Sequence, residues 1–286
     1  MFVVTGATGN TGSATARALL ERGKKVRVVV RDAARGAEWK ARGAEVAVAS
    51  LEDAAQLTAA LRGAEGAFLM VPPDYVAKDY LASRRKVTEA YAAALEATRL
   101  GRTVLLSSVG AQRTAGTGPI RSLHHAEDRL RRTGAAVTFL RASYFLENWG
   151  SVLGVAKENG VLPSMLKLGK SLSMVSTRDI GRVAAEVLTG ERAAAPVIEL
   201  AGPADLTPEE VAATVSSILG KTVPAVPVLE EEIVPALKSA GFSDDVAGLF
   251  REMIGGFNRG ETLPEGGTLV RGTTPAEETL RALLGR

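Results

Sequence analysis

Residues 5–12 read TGATGNTG, directly after the apolar run Phe2-Val3-Val4 and directly before SATARALLERG. Glycines at 6, 9 and 12 make a G-x-x-G-x-x-G spacing between a predicted strand and a predicted helix, the context that gives such a string meaning. Gly6 permits the tight turn, Gly9 lets a pyrophosphate approach the backbone, and Gly12 lets the helix pack close to the strand. The first amides of the helix and its positive end then face the phosphates. A Walker-type loop is excluded, because it needs a lysine after its last glycine and Ser13 stands there.

Beyond this turn, short apolar runs alternate with helical stretches. Strands are predicted at 2–5, 26–30, 45–49, 67–71, 102–107, 137–141 and 197–200. Helices are predicted at 11–22, 53–61, 78–99, 123–132 and 179–188. Val26–Val30 is apolar or β-branched except for Arg27, as expected of a strand covered on both faces. The alternation predicts an α/β fold with a doubly wound parallel sheet of the Rossmann kind.

After Gly202 the texture changes. Thr207-Pro208-Glu209-Glu210 reads as a capping box, and Thr274-Pro275-Ala276-Glu277 repeats the device. Helical stretches at 230–240 and 244–257 lie between them, and 160–173 reads as irregular. The expected division is a dinucleotide-binding domain of residues 1–148 and 176–202. A smaller, mostly helical C-terminal substrate lobe takes 149–175 and 203–286.

Composition narrows the classes. The 286 residues are 46% hydrophobic, enough for a sizeable core, and the formal charge of +3 is too small to argue for nucleic acid or an anionic membrane. There is no cysteine, so disulfides, thiolate metal sites and a cysteine nucleophile are excluded. The two histidines, His124 and His125, cannot build a histidine-rich metal site. Without a secretory signal or an apolar stretch of spanning length, a soluble cytoplasmic protein is the expectation.

The second strand ends in VVVRD. An acidic residue at that strand end would bind the ribose 2′-hydroxyl of NAD. Here Arg31 comes first, and a guanidinium can grip a 2′-phosphate in a fork, which favours NADP(H). Asp32 is placed to cap a helix starting near Ala33. The plainer reading leaves Arg31 as a solvated surface residue.

Taken in order, TGATGNTG, VRVVVRD (26–32), LLSSVGA (105–111), FLRASYFLENW (139–149) and STRDIGRVAAEVL (176–188) resemble the NmrA-like group of atypical short-chain dehydrogenases/reductases. The tail AATVSSILGKTVPAVPV (212–228) is similar to that family's helical lobe. The resemblance implies pyrophosphate contacts at Gly6, Thr8, Gly9, Asn10, Thr11 and Gly12, with the adenosine phosphate at Arg31. It puts Val71, Pro72, Ser107 and Ser108 beside the nicotinamide ribose, and Tyr144, Phe145 and Asn148 near the ring. With Trp149, the stretch 144–149 also sets three aromatic rings at the carboxyl edge of the sheet, where they suit a flat conjugated substrate. Many relatives carry an aspartate where Ser50 stands, which bears on adenine contacts.

Short-chain dehydrogenases usually carry a tyrosine and, four residues later, a lysine on the helix after strand five. That stretch reads GPIRSLHHAEDRLRRTG and contains neither. One reading is a reductase of a quinone or similar conjugated, aromatic small molecule, whose reduced anion solvent can protonate. Its catalytic candidates are His124, His125 and Ser108. A second is a non-catalytic NADP(H) sensor acting on a protein partner, and a third is a tailoring enzyme for aromatic natural products. A homo-oligomer stays open.

Overall fold

The computed structural model describes residues 1–286. In chain order the strands are β1 (Phe2–Thr5), β2 (Val26–Val30), β3 (Glu45–Val48), β4 (Gly66–Met70), β5 (Arg102–Ser108), β6 (Val137–Ala142) and β7 (Tyr144–Phe145). Then come β8 (Leu162–Ser164), β9 (Leu172–Val175), β10 (Val197–Ala201), β11 (Asp205–Leu206), β12 (Ala225–Pro227) and β13 (Thr268–Arg271). The helices are α1 (Asn10–Glu21), α2 (Ala37–Ala41), α3 (Ala54–Leu61), α4 (Tyr80–Thr98), α5 (Arg121–Arg131) and α6 (Leu153–Asn159). They continue with α7 (Thr177–Thr189), α8 (Pro208–Leu219), α9 (Glu230–Ser239), α10 (Asp244–Arg259) and α11 (Ala276–Leu284).

The main sheet has eight strands in the order β13-β10-β6-β5-β4-β1-β2-β3, and every pairing in it is parallel. Strand residues alternate between its faces. Val4, Val28, Phe68 and Leu140 pack with α1 and α7 on one side. Val3, Leu69, Leu105 and Phe139 pack with α3, α4 and α5 on the other. Strand order reverses between β1 and β4, the crevice position at which open α/β sheets bind ligands. Thr5 fastens that crevice: its hydroxyl donates to the Phe68 carbonyl (3.2 Å) and accepts from Met70 N–H (3.0 Å) and the buried Tyr91 hydroxyl (3.2 Å).

Helices α1 and α7 cross at Ala14 and Gly181. A methyl group on Gly181 would lie 2.4 Å from the Ala14 carbonyl carbon, so only glycine allows that approach. Asp179, in the first turn of α7, is buried and accepts from the amides of Thr273 and Thr274, tying the C-terminal segment to this layer.

Predicted elements agree with the observed ones to within one or two residues, and Asp32 does cap the turn after β2, accepting from Ala34 N–H at 3.0 Å. Three differences stand out. The tail is mostly helical but returns β13 to the main sheet, beside β10. The stretch 160–173 contributes β8 and the start of β9, each paired in a small side sheet. The Thr207 capping box forms, but the second does not: α11 starts at Ala276 with Pro275 as its cap, because Asp179 has taken the Thr274 amide.

Adding a methyl group in a full contact costs about 1–3 kcal/mol, whereas Gly→Ala in an open helix interior gains about 0.5–1 kcal/mol. Gly181→Ala is therefore expected to lower the thermal midpoint by several degrees, and Gly248→Ala, within α10 with nothing inside 4 Å, to raise it slightly. Equal shifts in calorimetry would show that the α1–α7 approach is not tight.

Candidate functional site

The opening turn is built as its spacing requires. Gly6 has φ +68°, and a side chain there would meet Met70. A methyl group on Gly12 would stand 2.3 Å from the Gly6 carbonyl oxygen, so α1 begins hard against the end of β1. Gly9 is different: its nearest neighbour would be the Gly6 oxygen at 3.6 Å, so nothing inside the protein demands glycine there. The first helical bond of α1 runs from Ser13 N–H to Gly9 O (3.0 Å), leaving three earlier amides without a helical acceptor. No side chain caps that end and no acidic residue stands in its first turn. Both features suit an anion.

Two hollows open on either side of the loop after β4. The first, about 280 Å³, is lined by Gly6, Thr8, Arg31, Ser50, Pro72 and Arg35 among others. Arg31 and Arg35 are exposed and neither forms an ion pair, so two free guanidinium groups face it. Arg35 was not picked out from the sequence; it comes near Arg31 because the chain turns through a 3-10 helix, Ala33–Gly36, after β2. Ser50 stands at the rim, its hydroxyl accepting from Glu52 N–H (3.2 Å). The buried Arg84 fixes the wall by donating to the Pro72 carbonyl (2.7 Å) and to Asp74 (3.2 Å).

The second hollow, a cleft of about 250 Å³, brings together Thr11, Val71, Ser107, Ser108, Tyr144, Phe145 and Asn148 from five parts of the chain. Its far wall was missed from the sequence: Tyr75 from the β4–α4 segment, Tyr80 from the start of α4, and Phe250, Met253 and Phe257 from α10. The 250/253/257 spacing is a helical stripe, but nothing local says what it covers. Tyr144 meets Phe257 edge-on, with ring centroids 5.7 Å apart. A strap holds α10 over the cleft: Ser243 N–H donates to the Tyr75 carbonyl (2.9 Å), the Ser243 hydroxyl to the Ala77 carbonyl (2.6 Å), and Tyr80 N–H to Asp245 (2.8 Å). Burial pushes the Tyr80 and Tyr144 hydroxyls up to about 12, so both stay protonated at neutral pH.

Behind the cleft lies a buried charge network. Arg141 donates to both oxygens of Glu127 (2.8 and 2.7 Å) and to Glu199 (3.1 Å); all three are buried. Ser107 donates to Glu127 at 2.6 Å. Burial works against the Glu127 charge, but hydrogen bonds from Arg141, Ser107 and Arg131 outweigh it and hold its carboxyl below the usual range. Glu199 goes the other way: burial raises it, and Arg141 offsets only part of that.

Several expected site residues lie elsewhere. Neither histidine lines the cleft. His124 Nδ1 is 2.8 Å from the Ala111 carbonyl, and His125 Nε2 lies 3.6 Å from Glu89 on α4, so both imidazoles have neighbours outside the cleft. Their neighbours Ser122 and Leu123 take the cleft face of α5 instead. Trp149 also lies away from the cleft: the 3-10 turn Leu146–Ser151 carries it into the core of the C-terminal elements, where its Nε1–H meets Met174 Sδ at 3.4 Å. Asn10 opens onto an outer groove between α1 and α7 rather than onto either hollow. Ser108 does line the cleft, with its hydroxyl given to the Val109 carbonyl (2.9 Å).

The model of the NmrA-like family matches residues 1–263. The chain belongs to the NmrA-like family. It is similar to the NAD(P)H azoreductase of Xenophilus azovorans, 29% identical over 88% of this chain and 86% of that protein. It is also similar to quinone oxidoreductase 2 of Escherichia coli (strain K12), 27% identical over 95% and 93% of the two chains. The structure of the Escherichia coli NADPH-dependent quinone oxidoreductase complexed with NADPH superimposes with a TM-score of 0.84 at 26% identity, covering 99% of this chain and all of that one. None of the helices is long and apolar enough to cross a membrane.

The network makes a pH prediction with two signs. A carboxyl held low in the folded state stabilises above its unfolded pKa, roughly 4.3, and loses that contribution as pH falls through the folded value. Glu127→Gln should thus cost on the order of 1.5–3 kcal/mol at pH 7, and its gap to the parent should close on acidification. A carboxyl held high opposes folding while ionised. Glu199→Gln should therefore be neutral or stabilising at pH 7, and that advantage should fade as pH falls through the raised value. Urea midpoints from pH 7 to pH 3 test this; a larger loss for Glu199→Gln than for Glu127→Gln would refute the assignment.

Proposed function

We propose that the protein is an NADP(H)-dependent reductase whose acceptor is a quinone or a similar conjugated, aromatic molecule. The observation that carries this reading is the aromatic-walled cleft at the strand-order reversal, opening beside an uncapped helix start and a hollow with two free guanidinium groups. The azoreductase and quinone oxidoreductase relatives support the same class of chemistry.

The residues fit the cofactor. The first amides of α1 hold a pyrophosphate, and Gly9 leaves the approach free of a side chain. Arg31 and Arg35 take the 2′-phosphate; at about 1.5–3 kcal/mol for a charge-assisted hydrogen bond, one such contact favours NADP(H) over NAD(H) on the order of tenfold to a hundredfold. Val71, Ser107 and Ser108 border the nicotinamide ribose. When bound, NADPH supplies a hydride. Tyr144, Phe145 and Phe250 hold a flat acceptor and exclude water from its faces. A conjugated acceptor yields a stabilised anion that draws its proton from solvent, so the chain needs no tyrosine–lysine pair.

The test is NADPH oxidation, followed by absorbance, against a panel of quinones. Saturable NADPH binding with no oxidation across the panel would overturn the reductase reading. Arg31→Ala should raise the Kd for NADPH by roughly tenfold to a hundredfold and leave NADH little changed. Gly9→Ala should weaken both cofactors with little change in the thermal midpoint, because a β-carbon there meets nothing closer than the Gly6 oxygen at 3.6 Å. His124→Ala and His125→Ala should leave the pH–rate profile in place; a displaced limb in either would return an imidazole to the reaction.

A further inference from the structure

Four serines line the cleft, and three have already given their proton away. Ser107 donates to Glu127 (2.6 Å), Ser108 to the Val109 carbonyl (2.9 Å) and Ser122 to the Pro119 carbonyl (2.8 Å). These hydroxyls can offer an incoming ligand only their lone pairs. Ser143 is the exception. It is 4% exposed, and its Oγ is buried without a hydrogen-bond partner in the protein. No other cleft-lining residue carries such an atom.

The backbone explains how that hydroxyl is held. Ser143 follows the last residue of β6, and its N–H donates to the Leu200 carbonyl at 2.9 Å, continuing the pairing with β10. The residue is therefore anchored at the carboxyl edge of the sheet, immediately before Tyr144 and Phe145. A buried hydroxyl with no partner is destabilising, and a ligand atom that accepts its proton removes that cost.

We infer that Ser143 Oγ donates a hydrogen bond to a carbonyl oxygen of the molecule held in the cleft, the one serine there with a proton to offer. The inference rests on the reductase reading, and two carbonyl sources share this chemistry. One is the acceptor itself: hydride arrival puts negative charge on its oxygen, and a donor fixed beforehand stabilises that charge. The other is the carboxamide of the nicotinamide. In both cases Ser143 keeps its proton, and the reduced oxygen is protonated from solvent.

The experiment uses the full chain and the variants Ser143→Ala and Ser143→Thr, with 1,4-naphthoquinone as acceptor. Because no protein hydrogen bond is lost and an unpartnered buried hydroxyl is removed, Ser143→Ala should leave the ligand-free thermal midpoint unchanged or raise it slightly; a clear fall would mean that the hydroxyl serves the fold and would overturn the assignment. A roughly tenfold or greater loss in kcat with NADPH Kd intact assigns the carbonyl to the acceptor. A comparable loss in NADPH Kd, with kcat at saturating cofactor intact, assigns it to the carboxamide. Threonine, which keeps the hydroxyl, should recover part of whichever quantity falls. If neither quantity moves, or if threonine is no better than alanine, the inference is wrong. Should the parent protein fail to oxidise NADPH, the reductase reading falls, while the Kd comparison still judges Ser143.

Discussion

Gly12 has no room for a methyl group: the space where one would go is filled by the carbonyls of Thr5 and Gly6. That contact sets how close α1 comes to β1, and so where the free amides of the helix start. With the amides fixed there, the guanidinium groups at the end of β2 lie on one side of the β4 loop and the aromatic cleft on the other. Moving α1 outward would carry the anion-binding end away from both hollows at once. Gly181 imposes the same demand from the opposite direction, because α7 presses on the outer face of α1 where only a hydrogen fits.

The helix that would carry the usual tyrosine–lysine pair has been put to another use. Its Glu127 anchors a guanidinium shared with Glu199, deep between β5, β6 and β10. Two carboxylates on one buried arginine are a costly way to stabilise a fold, since a well-packed apolar group would often do as well. What the arrangement does is orient: it claims the Ser107 proton and so decides the polarity that hydroxyl shows to the cleft. The chemistry of the site follows from which protons are committed and which remain available.

Local pattern revealed the sheet and the glycine turn because both depend on short-range rules, the alternation of apolar runs and the backbone freedom of glycine. Arg31 was legible as a strand-end residue. Arg35 was not, since its approach depends on a 3-10 turn that propensity does not mark. Phe250, Met253 and Phe257 were readable as a stripe, but their target is set by the strap from Ser243 and Asp245, a long-range contact. Trp149 was misplaced by adjacency: one tight turn separates it from the rings of Tyr144 and Phe145. The placement of the histidine pair was hidden for a related reason, as α5 turns Leu123 to the cleft and hands both imidazoles to neighbours. Most of β13 is exposed and it spans four residues, too short and too polar for its pattern to stand out from a loop.

That last strand has a bearing on how the chain matures. β13 lies beyond the region matched by the family model, and it supplies the only hydrogen-bonding neighbour on the outer side of β10. While the polypeptide is being synthesised, β10 emerges well before its cover, with a row of peptide groups open to any other extended segment. The carboxylate of Asp179, which precedes β10 in the chain, is the group that collects the amides of Thr273 and Thr274. Docking of that late segment is thus the event that closes an adhesive border, and a nascent chain halted short of it would be prone to pair with its neighbours on the same message.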